Sequence, residues 1–266
     1  MSKNLHLFHM STQTKIIFLS DIHLGIDHQN ALPNRKARLI ECLLEWKNEI
    51  SHLFLVGDVF EFWMEYSDFI PKGDFDFLAT LRDLQMSGVE IHYFAGNHDF
   101  NLGQFFQNQV GLHVHQNEYK VSLQGRDILL LHGDGMAASD KLYRVVKSII
   151  THKLSNFLFK LIHPDWGMAL ARFVGSTSRA QHEYGHVKWQ EYYDAAIDMM
   201  VKNNAKVCIN GHIHEAHYQE LKDHEDNEGY LYLNSGQWFH DPSWIELESG
   251  EFTIKFLDGH VGPKVY

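Results

Sequence analysis

The 266-residue sequence contains only two cysteines, Cys42 and Cys208, and each of them lies in an apolar run. A disulfide-rich secreted domain is built on a larger set of cysteines, so this class is excluded. Two isolated thiols are more typical of a reducing compartment, although one bridge between them stays open.

Long apolar runs and basic charge are also scarce. No stretch reaches the ~18 consecutive apolar residues of a membrane-spanning helix, and residues 1–15 are too polar for a signal-peptide core. The 23 Lys and Arg residues against 34 Asp and Glu give a net charge of -11, which argues against a nucleic-acid partner. We therefore expect a cytoplasmic protein that is either soluble or bound to a membrane surface.

Histidine, by contrast, is abundant, with 20 residues in the chain. Several of them stand beside Asp or Gly at the ends of apolar runs. Imidazole and carboxylate groups are ligands of Mn, Fe and Zn, so this clustering indicates metal chemistry.

Apolar periodicity predicts an α/β protein of packed sheets that carries a helical insertion. The predicted segments are a core over 1–138, a helical lid over 139–203 and a second part of the core over 204–266. The elements expected within them are strands at 15–19, 52–58, 89–97, 206–212, 217–221 and 230–236, helices at 35–50 and 75–86, helices across 139–203 with breaks near Pro164 and Gly175, and hairpins at 118–134 (turning at Gln124–Gly125) and 243–258.

Polar side chains follow five of the predicted core strands at the point where each strand ends. These ends read Asp21-Ile22-His23, Gly57-Asp58, Gly96-Asn97-His98-Asp99, His132-Gly133-Asp134 and Gly211-His212-Ile213-His214. Ligands two residues apart in an extended segment point to one side, and α/β proteins bind ligands where strands end. We therefore expect these groups to meet at one edge of a sheet, with Asp58 able to bridge two metal ions.

The five blocks resemble those of the calcineurin-like metallophosphoesterases, which read D-x-H, G-D, G-N-H-[DE], H-G and G-H-x-H. The resemblance covers nearly the whole chain. It implies a four-layer βαβα metallophosphoesterase sandwich of two mixed sheets with a helical lid insertion, and a site for two divalent metal ions, manganese first, with iron or zinc possible. By the resemblance, one ion is held by Asp21, His23, Asp58 and His214, and the other by Asp58, Asn97, His132 and His212. The catalytic residues implied are His98, which faces the substrate, and Asp99, which orients the His98 ring.

Longer stretches are similar to the UDP-2,3-diacylglucosamine diphosphatases, which cleave the pyrophosphate of a lipid A precursor to UMP and an acylated sugar 1-phosphate. They are GDVFEFW (57–63), GNHDFNLG (96–103) and HGDG...SDKLYR (132–144). The substrate contacts that this similarity implies are Asn97, His98, Asp140, Tyr143 and Arg179. The chain departs from the best-known members in having His98 where they have Arg. We also expect Glu61, within the first stretch, to hydrogen-bond a metal ligand or a backbone turn.

The predicted lid is basic and apolar within an acidic chain. Residues 139–179 hold seven basic and two acidic side chains, together with many Val, Ile, Leu and Phe residues. Such a segment is typical of a surface for anionic lipid or for an acylated substrate. Together with the resemblance, it implies a peripheral protein on the inner face of the inner membrane. A helical cap whose apolar face packs on the core is the alternative.

Three other functions stay open at this point. His182-Glu183-Tyr184-Gly185-His186 matches the zinc-protease signature H-E-x-x-H, although Gly185 weakens the helix it requires. A phosphodiesterase or phosphatase of the same fold would act on a nucleotide or phosphoprotein. A non-catalytic scaffold on this fold would be expected to lose metal ligands, and all five blocks are intact.

Overall fold

The computed structural model describes residues 13–25, 31–167, 169, 188–222 and 229–265. Seven strands form the larger sheet: β1 (Lys15–Leu19), β2 (Ile50–Leu55), β3 (Glu90–Phe94), β4 (His113–His115), β10 (Ser243–Glu248), β11 (Glu251–Phe256) and β12 (Val261–Val265). Their order across the sheet is β12-β11-β10-β1-β2-β3-β4. Strands β1 to β4 are parallel, whereas β10 to β12 are antiparallel to their neighbours.

Five strands form the smaller sheet: β5 (Tyr119–Leu123), β6 (Arg126–Leu130), β7 (Val207–Asn210), β8 (Ala216–Lys222) and β9 (Gly229–Ser235). Their order is β5-β6-β7-β9-β8, with β6, β7 and β9 parallel and both edge strands antiparallel. The predicted hairpin turn at Gln124–Gly125 is confirmed. Both of its residues have positive φ, 50° and 79°, as a type I′ turn requires.

Alternation along β1 shows how the layers are held together. Ile16 and Phe18 pack between the two sheets, whereas Ile17 and Leu19 face the opposite way, because successive strand residues point to opposite faces. The outward residues pack under two helices, α1 (Arg35–Trp46) and α2 (Phe75–Met86).

Between β6 and β7, the described residues include the helices α3 (Lys141–Ile150), α4 (Lys153–Lys160) and α5 (Trp189–Asn203). Helix α5 packs on the outer face of the smaller sheet through Tyr192, Ala196 and Met200. The layers therefore run helix, sheet, sheet, helix, and the predicted fold class of two mixed sheets with helices is confirmed.

Helix α5, which lies within the predicted lid of 139–203, buries its apolar face in the core. By contrast, α3 and α4 contain no buried residue. We use "lid" below for α3 and α4 with the residues up to Gly167. The predicted helix break at Gly175 lies outside the described residues.

Two local predictions also differ from the structure. The first helix ends at Trp46, and Ile50 already opens β2, because Ile50 continues both an apolar helical repeat and an apolar strand. Strands β4 and β12 were not predicted. β4 has only three residues, two of which are histidines, and so gives almost no apolar signal. Within the described part of the chain, no helix is long and apolar enough to cross a membrane.

Candidate metal centre

The five polar strand ends meet, but not at the edge of a single sheet as predicted. Asp21, Asp58 and Asn97 follow β1, β2 and β3 of the larger sheet, whereas His132 and the His212–His214 segment follow β6 and β7 of the smaller one. The backbone amide of His212 donates to Oδ2 of Asp21 at 2.8 Å, which joins the two sets. The site therefore lies between the two sheets, where their parallel strands end.

One group consists of Asp21, His23, Asp58 and His214, whose ligand atoms all lie within 4.8 Å of one another. The Nε2 atom of His214 is 3.1 Å from Oδ1 of Asp21 and 3.2 Å from Nε2 of His23. The Nε2 atom of His23 is in turn 3.8 Å from Oδ2 of Asp58. Two carboxylates and two imidazoles thus point at one small space.

A second group adjoins the first through Asp58. Oδ2 of Asp58 lies 3.3 Å from Nε2 of His132. The side-chain oxygen of Asn97 lies 3.1 Å from the same His132 nitrogen and 2.9 Å from Nδ1 of His212. All seven predicted metal ligands are therefore brought together, with Asp58 between the two groups.

The polar atoms of this site fit a bound cation better than they fit one another. Within the described part of the chain, Oδ1 of Asp21 is fully buried and makes no hydrogen bond of good geometry, although Nε2 of His214 lies 3.1 Å away. A buried carboxylate oxygen ordinarily has a well-aligned donor. The Nε2 atoms of His23 and His214 face each other at 3.2 Å. Without a metal ion, one of the two nitrogens must carry a proton that the other accepts. Imidazole, carboxylate and amide oxygen together suit Mn, Fe or Zn.

Two outer contacts fix the orientation of the imidazoles. Nδ1 of His132 donates to the Val56 carbonyl at 2.9 Å, and Nδ1 of His23 lies 3.0 Å from the Glu61 carboxylate. Each contact leaves Nε2 facing the site, as in metal sites where the second ring nitrogen is tied to an oxygen. The expectation that Glu61 contacts a ligand is thus confirmed for the His23 ring.

The backbone is strained at the same positions. Among the described residues, nine that are not glycine have positive φ, and five of these are candidate ligands: Asp21, His23, Asp58, His212 and His214. Such conformations cost of order 1–3 kcal/mol each and persist where the surrounding structure enforces them. Their concentration here is evidence of function, because a plain turn would use glycine.

Glycine serves the site by its lack of a side chain. A Cβ on Gly96 would overlap the carboxylate of Asp58, and one on Gly57 would overlap the ring of His132. Gly57 also has a φ of 86°, which glycine adopts without steric cost. The two ligands approach the backbone this closely only because glycine stands there.

Electrostatics couple Asp58 to His132 in the metal-free protein. Burial raises the pKa of Asp58, but the His132 and His98 imidazoles outweigh it and hold that pKa well below its ordinary value. Burial lowers the pKa of His132, but the Asp58 carboxylate raises it well above the ordinary range. The shift in pKa favours a protonated His132 in the metal-free protein. A metal ion must displace this proton to bind, since a metal-binding imidazole must be neutral.

His98 lies beside the first group, with its ring 4.8 Å from that of His23. Its Nδ1 donates to the Glu61 carbonyl at 3.0 Å and lies 3.6 Å from the Glu61 carboxylate. Burial lowers the pKa of His98, but the charges of Asp58 and Glu61 raise it above its ordinary value.

The prediction that Asp99 orients the His98 ring is wrong. The Asp99 carboxylate accepts from the backbone amides of Asp58, Val59, Phe60 and Gly96 and from the Tyr93 hydroxyl. It therefore shapes the loop that carries Asp58, and Glu61 holds His98 instead.

The predicted substrate contacts are placed in part. Tyr143 has its ring 6.3 Å from that of His212, and Asp140 stands half-buried at the start of α3. Arg179 and the H-E-x-x-H stretch at 182–186 lie outside the described residues, so both predictions stay open.

Asp134, the last residue of the His132-Gly133-Asp134 block, has no role predicted from the sequence. Its carboxylate accepts from the Tyr143 hydroxyl at 2.6 Å and pairs with Lys147. These two contacts tie α3 to the strand end that carries His132. On the other side of the lid, the rings of Phe159 and Phe62 lie 5.4 Å apart.

A model of the calcineurin-like phosphoesterase family matches residues 14–216. The match covers most of the chain, and the chain therefore belongs to this family. With its cluster of Asp and His side chains, the protein is a metal-dependent phosphoester hydrolase.

Curated relatives carry a more specific name. The chain is 32% identical over 198 residues to a UDP-2,3-diacylglucosamine hydrolase of Porphyromonas gingivalis, covering 71% of this chain and 76% of that one. It is 26% identical over 239 residues to the Neisseria meningitidis enzyme of the same name, covering 89% and 95%. Among solved structures, it resembles Vps29 of Entamoeba histolytica, with a TM-score of 0.47 and 15% identity over 94% and 98% of the two chains.

Proposed function

We propose that this protein hydrolyses the pyrophosphate bond of UDP-2,3-diacylglucosamine to UMP and 2,3-diacylglucosamine 1-phosphate, a step of lipid A biosynthesis. The observation that carries the proposal is the position of a complete ligand set for two metals beside a lid that exposes apolar and basic side chains. The names of the curated relatives support the same substrate.

In this proposal Asp58 contributes to both metal ions. The first ion would be held by Asp21, His23, Asp58 and His214, and the second by Asp58, Asn97, His132 and His212, whose side chains lie together in the structure. Manganese is the first choice, with iron or zinc as alternatives. When bound, the two ions supply Lewis acidity and lower the pKa of a water for attack on phosphorus.

His98 assists the departure of the leaving phosphate. Attack forms one new P–O bond and breaks the bridging P–O bond, whose electron pair passes to the leaving oxygen. Glu61 fixes Nδ1 of His98, so Nε2–H is free to donate to that oxygen or to the charge that develops on phosphorus. In the metal-free protein, the charges of Asp58 and Glu61 raise the pKa of His98 above its ordinary value.

The lid receives the acyl chains and the membrane surface. Its exposed large apolar side chains are Leu142, Val145, Val146, Ile149, Ile150, Leu154, Phe157, Leu158, Leu161 and Trp166. Exposed lysines at 141, 153 and 160 accompany them. Exposed apolar side chains with basic charge among them suit an anionic bilayer, so we propose a peripheral, cytoplasmic location on the inner face of the inner membrane.

A metal-reconstituted assay tests the substrate. We expect UDP-2,3-diacylglucosamine to be cleaved with a higher kcat/KM than a water-soluble diester such as bis(p-nitrophenyl) phosphate. Removal of metal by a chelator abolishes both activities, and Mn²⁺ restores them. Rapid cleavage of the diester with the lipid nucleotide untouched would refute the proposed substrate and favour the phosphodiesterase alternative.

A further inference from the structure

Four histidines and one glutamate meet at the end of the larger sheet that lies away from the metal centre. They are His52 on β2, Glu90 and His92 on β3, and His113 and His115 on β4. His52 pairs with Glu90, and His92 pairs with His113. Glu90 opens β3 while Asn97 follows its end, so the two places are on the order of 20 Å apart along the strand.

Three imidazole nitrogens lie close to the Glu90 carboxylate. Its Oε1 is 3.0 Å from Nε2 of His92 and 3.7 Å from Nε2 of His113, and its Oε2 is 3.5 Å from Nε2 of His52. Two ligand atoms about 2.1 Å from one ion at the tetrahedral angle lie about 3.4 Å apart. Each of the three imidazoles therefore lies at a spacing from Glu90 that two ligands of one ion can have.

His92 has the surroundings of a supported metal ligand. Its ring stacks between those of Phe54, at 4.6 Å, and His113, at 4.9 Å. Its Nδ1 lies 2.9 Å from Nε2 of His115. When Nδ1–H donates to His115, the lone pair on Nε2 points at Glu90, and a ligand histidine ordinarily donates its other N–H in this way.

We propose that Glu90, His92 and His113 bind a divalent transition-metal ion, such as Zn²⁺ or Ni²⁺, with His52 on the second carboxylate oxygen. Imidazole-rich sites prefer these ions to Mg²⁺ or Ca²⁺. The ion fastens β2, β3 and the edge strand β4 to one another. This site is separate from the phosphoesterase centre and does not depend on the substrate proposed above.

Equilibrium dialysis against Zn²⁺ with elemental analysis tests this site by comparing the zinc bound per protein molecule in the wild type and in a variant. At saturation, we expect the wild-type protein to hold one equivalent more than the His113→Ala variant. The His113 side chain is 60% exposed, so its removal leaves the core intact. The matched control is His260→Ala, which removes a 52% exposed histidine beside the carboxylate of Asp258 and should keep the full stoichiometry.

A second variant separates a built site from a chance collection of histidines. The substitution His115→Phe removes the outer partner of His92 and should weaken the extra equivalent about 10–100-fold without removing a ligand. Phosphodiesterase turnover should be the same in all three variants. Equal stoichiometry in the wild-type and His113→Ala proteins, or an equal loss in His260→Ala, would overturn the proposal.

Discussion

The core and the lid place similar side chains in opposite surroundings. Phe77 on α2 is fully buried, whereas Phe157 on α4 is 59% exposed and Trp166 beyond it is 73% exposed. Burial of a Phe side chain stabilises the folded protein by about 1.5–3 kcal/mol, a gain that the lid forgoes. The exposed apolar side chains of the lid therefore contribute little to the stability of the fold, unlike those of the core.

The largest effect is expected from a core residue that carries the chemistry. The substitution Asp58→Asn removes the carboxylate charge between the two metal groups and should lower turnover about 10³-fold or more. The loss should be the same for the lipid nucleotide and for a water-soluble diester, while binding to vesicles stays at the wild-type level. Measured turnover within tenfold of wild type would contradict the assigned role of Asp58.

One phenylalanine from the core and one from the lid should differ in how much each stabilises the folded protein. Phe77→Ala should lower the free energy of unfolding by about 3–5 kcal/mol, because it leaves a cavity in the core. Phe157→Ala should change it by no more than about 0.5 kcal/mol, because its ring is exposed. Urea unfolding of the apo protein measures both values. Similar costs for the two substitutions would mean that the lid packs on the core after all.

The charge of the lid should control its attraction to anionic lipid. Reversal of two exposed lysines, Lys153→Glu with Lys160→Glu, should weaken binding to phosphatidylserine vesicles about tenfold or more, at about 1 kcal/mol per basic residue. Lys202→Glu, on core helix α5, is the matched control and should leave binding unchanged. The membrane proposal would be refuted if the bound fraction in co-sedimentation depended neither on the anionic lipid content of the vesicles nor on the charge of the lid.

The smallest effect concerns acid stability in the absence of metal. Burial lowers the pKa of His92 to about 4, against about 6.5 in an unfolded chain. Between these values the unfolded chain binds a proton that the folded protein does not, so the free energy of unfolding falls as the pH falls from about 6.5 to about 4. We expect this loss to be on the order of 1 kcal/mol, because the cluster borders solvent.

Two substitutions test whether His92 in the core causes this loss of stability at low pH. His92→Phe should remove this part of the pH dependence, whereas His163→Phe, at an exposed position of the lid, should leave it unchanged. Chemical unfolding at pH 7 and at pH 4.5 provides the comparison. Identical pH dependence in the two variants would show that His92 contributes nothing to it.

Short-range patterns predicted the polar strand ends well. Asp21, Asp58 and His132 were expected to meet because each follows an apolar run, and the structure brings them together. The pattern did not predict that His132 and His212 come from a different sheet than Asp21, because strand pairing depends on contacts distant in sequence. The sequence pattern also did not predict that Asp99 shapes the loop that carries Asp58. The backbone amides that donate to its carboxylate include those of Asp58 and Val59, about 40 residues earlier in the chain.

The proposed pyrophosphate hydrolysis is tested most directly by analysing the products formed from UDP-2,3-diacylglucosamine in ¹⁸O-labelled water. Hydrolysis of the pyrophosphate should give UMP and 2,3-diacylglucosamine 1-phosphate, with one ¹⁸O atom in one of the two phosphate groups, and the wild-type reaction should require added metal. UDP with an unphosphorylated sugar lipid, or no turnover by a fully metal-loaded protein, would contradict the proposed function.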